Sequence, residues 1–130
     1  MQSLQLESLQ TICQMGMLQS LELGNCDKIE PSSIFDSLKS LKNLKYLRLE
    51  KGKFDVSVGE MKNLTHLRVL ELIDFEMVQG FGKGLVELQN IRKLLLIPTY
   101  TDEVSKNFVK SMYLVLNYTV YWFYEILFKV

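Results

Sequence analysis

One histidine, two cysteines and one glycine-rich run are the residues from which this chain could build chemistry. General-base catalysis or metal ligation by His66 would need a nucleophile or a second ligand, and the sequence sets neither beside it. His66 therefore reads as a surface residue. Cys13 and Cys26 lack both a C-x-x-C spacing and a histidine cluster, so they do not form a metal or redox motif. They read as small buried hydrophobes, Cys13 flanking an apolar stripe and Cys26 filling an inward turn. Gly80-Phe-Gly82-Lys-Gly84 has the residue types of a phosphate cradle but not the G-x-x-x-x-G-K-[ST] order, and it reads as a flexible start to a helix. Asn63-Leu-Thr65 and Asn117-Tyr-Thr119 match the glycosylation sequon. The N-terminus has no basic flank followed by an apolar run, so no signal peptide is expected and both matches read as chance. Lys39, Lys42 and Lys45 recur every three residues on a solvated helix face. Neither a Ser-His-Asp set nor a carboxylate pair can be assembled. The expectation is no catalytic residue, no cofactor, no metal, and a chain that is not an enzyme.

The totals narrow the class further. A hydrophobic content of 48% argues against disorder and for a folded chain. Fifteen Lys and Arg balance fifteen Asp and Glu, so there is no clustered positive excess for a nucleic acid partner. Two cysteines are too few for a disulfide framework, which favours a reducing, intracellular setting in the cytoplasm or nucleus.

What must position any functional side chain is a phrase written four times. Met15-Gly-Met-Leu18-Gln-Ser-Leu21-Glu-Leu23 is followed by Leu41-Lys-Asn-Leu44-Lys-Tyr-Leu47-Arg-Leu49. Leu64-Thr-His-Leu67-Arg-Val-Leu70-Glu-Leu72 and Leu88-Gln-Asn-Ile91-Arg-Lys-Leu94-Leu-Leu96 complete the set. Each has apolar residues at relative positions 1, 4, 7 and 9, and the phrases start 26, 23 and 24 residues apart. A period of about 20–29 residues built on L-x-x-L-x-L is the signature of a leucine-rich repeat array.

The closing L-x-L of each phrase predicts a short strand, because successive side chains on a strand point to opposite faces. The leucine pairs Leu21 and Leu23, Leu47 and Leu49, Leu70 and Leu72, and Leu94 and Leu96 are expected in the core. Such strands would stack in parallel about 4.8 Å apart. Upstream of the strands the spacing lengthens to three and four. Ile34, Leu38, Leu41 and Leu44 show it, as do Phe81, Leu85, Leu88 and Ile91, and Ile12, Met15 and Leu18. This spacing predicts one face of a helix. Pro31-Ser32-Ser33 marks a helix start with serine as the cap. After the first strand, Cys26 completes L-x-x-L-x-L-x-x-C-x-x-I, with a small side chain turned inward. Gly52, Phe75 and Thr99 hold the matching position later, so the later repeats are irregular.

Adding one period to Leu88 reaches Met112. Met112-Tyr-Leu-Val115-Leu-Asn-Tyr118-Thr-Val120 fits the template loosely, with Val104, Phe108 and Met112 as its helix face, and reads as a fifth, degenerate repeat. Residues 112–128 are too short and too polar for a membrane span, since Asn117, Thr119 and Glu125 interrupt them. Membrane contact is not expected. The expected fold is therefore α/β: a leucine-rich repeat solenoid, a right-handed β-α superhelix of about five repeats, with parallel strands on the concave face and helices on the convex face. Residues 1–130 form a single domain, with repeats near 9–29, 30–55, 56–79, 80–101 and 102–124. No polar cap precedes Leu4 or follows the aromatic tail Tyr121-Trp122-Phe123-Tyr124, so the domain is expected to be a fragment of a longer array.

Side chains between the leucines should form columns on the concave face. The first column is Ser20, Tyr46, Val69, Lys93 and Asn117. The second is Glu22, Arg48, Glu71, Leu95 and Thr119. The third is Gly24, Glu50, Ile73, Ile97 and Tyr121. Glu22, Arg48 and Glu71 alternate in sign and are expected to make exposed cross-strand ion pairs. Val69, Ile73, Leu95, Ile97 and Tyr121 would form an apolar patch suited to a protein partner. The expected partner-binding residues are Tyr46, Arg48, Glu50, Val69, Glu71, Ile73, Lys93, Leu95, Ile97 and Tyr121.

Over nearly the whole chain the repeats resemble the leucine-rich repeat superfamily. The Leu18–Ile29 phrase, with Cys26, is similar to the cysteine-containing repeats of F-box proteins. That resemblance implies a solenoid that selects substrates while a separate F-box recruits a ubiquitin ligase core. Leu44-Lys-Tyr-Leu-Arg-Leu49 and Leu67-Arg-Val-Leu-Glu-Leu72 are also similar to repeats of plant nucleotide-binding immune receptors, where the array senses and autoinhibits. The chain has neither an F-box nor a nucleotide-binding segment. A membrane-anchored receptor segment is the third reading.

Overall fold

The computed structural model of the chain describes residues 3–53, 64–76 and 90–99. Within them, helix α1 (Leu6–Ile12) leads into strand β1 (Ser20–Leu23), a single 3-10 turn (Cys26–Lys28) and helix α2 (Pro31–Leu38). Strands β2 (Tyr46–Lys53), β3 (Val69–Glu76) and β4 (Lys93–Pro98) follow. The strands form one four-stranded sheet in the order β1-β2-β3-β4, with every neighbouring pair parallel. The architecture is thus α/β.

The pairing register superimposes the phrases. Leu21 faces Leu47, which faces Leu70, which faces Leu94; Leu23, Leu49, Leu72 and Leu96 line up the same way. Leu47, Leu49, Leu70, Leu72, Leu94 and Leu96 are fully buried, and a leucine fully removed from water contributes about 1.5–3 kcal/mol. Leu23 is buried as well, but Leu21 is only half-buried. Among the described residues β1 pairs with β2 alone, whereas β2 and β3 are each paired on both sides.

The backbone repeats its bonding at the same register. The Gln19 carbonyl accepts from the amides of Lys45 at 2.8 Å and Tyr46 at 3.0 Å. The Lys45 carbonyl accepts from Arg68 and Val69, and the Arg68 carbonyl from Arg92 and Lys93. Two asparagines add rungs outside the strands. Asn43 Nδ2 donates to the Gly16 carbonyl at 3.0 Å, and Asn90 Nδ2 donates to the Thr65 carbonyl.

Three details depart from the sequence expectation. Strands β2 and β3 span eight residues each rather than the three of L-x-L. They run on because Lys51 (φ 59°) and Asp74 (φ 51°) take a left-handed backbone two residues past Leu49 and Leu72, and pairing resumes beyond them at Gly52 and Phe75. Asn25 (φ 54°) makes the same step after Leu23 and leads into the 3-10 turn instead. Pro98 holds the equivalent place after Leu96, and its ring forbids a positive φ. The β3–β4 register accordingly jumps from Ile73–Ile97 to Phe75–Pro98, leaving Asp74 as the extra residue of a bulge.

The second departure is at the first repeat. Helix α1 ends at Ile12, before the phrase begins, and Leu9 is the side chain it buries. Met15 is 54% exposed, whereas Leu41 and Leu64 at the same phrase position are buried. The third is the cap of α2. Pro31 takes the first helical position, where a missing amide hydrogen loses no bond, and Glu30 precedes it without a side-chain cap bond. Ser32 and Ser33 lie inside the helix rather than capping it. Ile34, Phe35 and Leu38, with Leu41 and Leu44 just beyond, join the strand leucines in one core.

Candidate functional site

Each strand alternates, so what is not in the leucine core stands on the opposite sheet face. The register there makes the expected columns real neighbours. Ser20, Tyr46, Val69 and Lys93 sit side by side on four strands. Glu22, Arg48, Glu71 and Leu95 form the next row, and Glu50, Ile73 and Ile97 the third. Gly24 falls just past the end of β1. Asn117, Thr119 and Tyr121 lie outside the described residues, as does the fifth repeat. The Gly80–Gly84 run and both sequon asparagines, Asn63 and Asn117, also lie outside them.

The charged centre of this face differs from the expected exposed ion pairs. Glu71 is 7% exposed, the one buried charged side chain among the described residues. Its Oε1 accepts the phenolic hydrogen of Tyr46 and lies 3.6 Å from Nη1 of Arg48. Its Oε2 lies 3.8 Å from Nζ of Lys93. The carboxylate on the central strand β3 is therefore hemmed in from β2 on one side and β4 on the other. A buried carboxylate persists only when it is paired and hydrogen-bonded, and here three side chains supply both. Tyr46 also reaches Glu22 Oε1 at 3.1 Å, so one phenol spans two carboxylates on opposite neighbouring strands. Its pKa is pushed well above the ordinary phenol range, first by desolvation and then by the hydrogen bonds and negative charge of Glu71 and Glu22.

Alternating charge made Arg48 and Glu71 legible as a pair. The burial, and the parts played by Tyr46 and Lys93, were missed. The available signal was positional: Tyr46 and Lys93 each stand one strand away from Glu71 and two residues earlier in register, within diagonal reach of a long side chain.

Comparison with protein-family models, with curated proteins and with solved structures returned no match.

The apolar part of the face is tighter than an open patch. Val69, Ile73, Leu95 and Ile97 are each half-buried, because neighbours in the same row shield one another. Together they form an apolar band over β3 and β4, bordered by Tyr46, Arg48 and Glu50, also half-buried, and by the exposed Lys93.

His66 is exposed in the turn before β3. Cys13 and Cys26 are free and buried. Cys26 is fully enclosed at the start of the 3-10 turn, with Sγ 3.7 Å from the Leu23 carbonyl, as an inward turn residue should be. Burial pushes its thiol up to about 11, which keeps it in the unreactive protonated form. The Cys13 thiol is raised by burial as well. Among the described residues no group of three or more His, Cys, Asp or Glu could hold a metal ion. Nor is any helix among them long and apolar enough to cross a membrane.

Proposed function

We propose that the chain is a segment of a leucine-rich repeat solenoid that acts as a protein-interaction module and performs no chemistry of its own. The observation that carries this reading is the register. Three successive parallel pairings set the same phrase positions side by side, so the residues that alternate with the core leucines are delivered to one continuous face. That face joins a buried, paired carboxylate at Glu71 to the half-buried band of Val69, Ile73, Leu95 and Ile97. Half-apolar, half-polar surfaces with aromatic and Arg anchors are what protein interfaces use.

Within that reading, we place the chain as the substrate-recognition segment of an F-box-type ubiquitin ligase adaptor, acting in the cytoplasm or nucleus. Support comes from Cys26 and Ile29, both buried in the turn after β1, where the cysteine-containing repeat needs small and apolar side chains. A sensor fragment of a nucleotide-binding immune receptor is the second reading, favoured by the Leu44–Leu49 and Leu67–Leu72 phrases.

The test is affinity capture from cells with the tagged chain and with Ile97→Glu, followed by quantitative mass spectrometry. Ile97 stands opposite Ile73, so a new carboxylate there enters the apolar band without facing Glu71. Proteins retained by the wild-type chain and lost from a folded Ile97→Glu chain support the module. Identical retained sets contradict it. Ubiquitin ligase core subunits captured with the full-length gene product support the F-box reading, and their absence removes it.

A further inference from the structure

We infer that the cleft between the third and fourth phrases, at the N-terminal ends of β3 and β4, is a phosphate site that receives a phosphorylated serine or threonine of the protein partner through Arg68, Arg92 and His66. The inference rests on the reading of the adjoining face as an interaction surface and adds the chemical group the partner carries.

Charge balances over the whole chain but not by position. None of the four phrases carries an Asp or Glu ahead of its closing L-x-L, whereas Lys42, Lys45, Arg68, Arg92 and Lys93 all fall there. The fifth place of the phrases reads Gln19, Lys45, Arg68 and Arg92, and the carbonyl of each accepts from the amide of the next. Three exposed cations therefore follow one another on adjacent phrases. Among the described residues none of these three makes an ion pair. The acids stand elsewhere. Glu22 and Glu71 come three places further along the strands and Glu50 five, about 10 Å or more away. Glu22 and Glu71 already accept from Tyr46. Glu7 and Asp36 lie on α1 and α2, Asp36 paired with Lys39 at 2.7 Å. Asp27, Glu30, Asp74 and Glu76 gather at the C-terminal ends of the strands.

Between two of these cations the surface opens into a cleft of about 280 Å³, lined by Thr65, His66, Arg68, Asn90, Ile91 and Arg92. Its backbone acceptors are engaged. The Thr65 carbonyl accepts from Asn90 Nδ2, and the Arg68 carbonyl accepts from the amides of Arg92 and Lys93. What faces the space is mainly donors: two guanidinium forks, an imidazole and the Thr65 hydroxyl. Two fixed positive charges match the charge of a phosphomonoester, roughly −1.5 to −2, and its three outer oxygens suit two forks and an imidazole. A carboxylate brings one charge and leaves one guanidinium unmet. A nucleic acid finds no Phe, Tyr or Trp in the cleft on which to stack a base. Val69 and Lys93 directly follow Arg68 and Arg92, so a partner lying on the sheet face reaches the cleft at its margin.

The experiment offers the whole chain two degenerate peptide libraries, one with a central phosphoserine and one with serine in its place. Retention is compared on wild type, Arg68→Gln, Arg92→Gln and Ile97→Glu, each checked by circular dichroism for an unchanged fold. Both arginines are exposed, so their replacement leaves the leucine core intact. The expected result is a phosphoserine library held about tenfold better than the serine library by wild type, with that preference lost on either arginine variant. Arg92→Lys, which keeps the charge but not the fork, should restore it only in part. Equal retention of the two libraries by wild type, with loss on Ile97→Glu, overturns this inference and leaves the interaction face standing. A phosphoserine preference that survives both arginine changes places the phosphate elsewhere and overturns it too. Retention of neither library overturns the inference, while the affinity capture decides the face separately. Inorganic phosphate that binds as tightly as the phosphopeptides assigns the cleft to the free ion. A single-stranded oligonucleotide that binds more tightly assigns it to nucleic acid. Either outcome overturns the phosphorylated partner.

Discussion

Tyr46 donates its phenolic hydrogen diagonally across the β2–β3 gap to Glu71, which is thereby held on a strand face that alternation alone assigns to solvent. This contact explains how a charged side chain comes to sit 7% exposed on a sheet whose other buried residues are all apolar.

Tyr46→Phe removes that donor while keeping the ring. Hydrogen bonds to charged groups contribute about 1.5–3 kcal/mol, and Arg48 and Lys93 remain to offset the loss, so unfolding free energy should fall by about 1–2 kcal/mol. Urea denaturation measures it. Glu71→Leu replaces the whole buried charge by an apolar group and should be nearly neutral or stabilising, since desolvation of the ion is removed together with its pairing. A large loss in Glu71→Leu would mean the polar cluster, not the leucine core, holds β3 in place.

The core makes a graded prediction. Leu70→Ala, at a fully buried site on a central strand, should lose about 2–5 kcal/mol, enough to unfold much of the chain. Leu21→Ala, on the half-covered edge strand, should lose less than half as much. Equal losses in chemical denaturation would contradict the edge position of β1.

The left-handed positions test the backbone. A side chain in that conformation strains against its own carbonyl by about 1–2 kcal/mol, so Lys51→Gly should stabilise the fold slightly, by up to about 1 kcal/mol after the glycine's extra chain entropy. Lys51→Val should destabilise it by about 1–2 kcal/mol, because a β-branched residue tolerates positive φ worst. The order Gly, Lys, Val in denaturation midpoint is the readout.

The pH dependence follows from Cys26. Its folded pKa is raised from 9.0 to about 11, so the folded chain holds the proton more tightly than the unfolded chain. That stabilisation is fully present below pH 9 and is lost as pH rises toward 11. Tyr46, whose pKa is also raised, adds loss of the same sign at higher pH. Thermal unfolding between pH 8 and pH 11 should show falling stability that Cys26→Ala reduces. In native chain at neutral pH, a thiol reagent should label Cys26 only through unfolding.

The leucines carried most of this fold openly. Their 26-, 23- and 24-residue spacing at L-x-L predicted which strands pair, in which direction and at which register, because one slip would turn every leucine to water. What escaped depends on single residues whose effect is not periodic. Lys51 and Asp74 carry no glycine-like mark, yet their left-handed backbone extends the strands. Asn43 and Asn90 share the third place in their phrases, and each bonds back to the preceding phrase, but Met17 and His66 interrupt the series and hid it. His66→Asn should restore the rung, donating to the Lys42 carbonyl, and raise stability by about 0.5–1 kcal/mol. For the candidate site, alternation located the rows. Burial of Glu71 was not legible, because it arises from three side chains converging from two strands.

The parallel stack itself is tested most directly by through-hydrogen-bond scalar couplings in the isotopically labelled chain. The account predicts couplings from the Lys45 carbonyl carbon to the Val69 amide nitrogen and from the Arg68 carbonyl carbon to the Lys93 amide nitrogen, each joining one phrase to the next. Val69 and Lys93 amides coupled instead to carbonyls four residues back, or to strands running in the opposite direction, would contradict it.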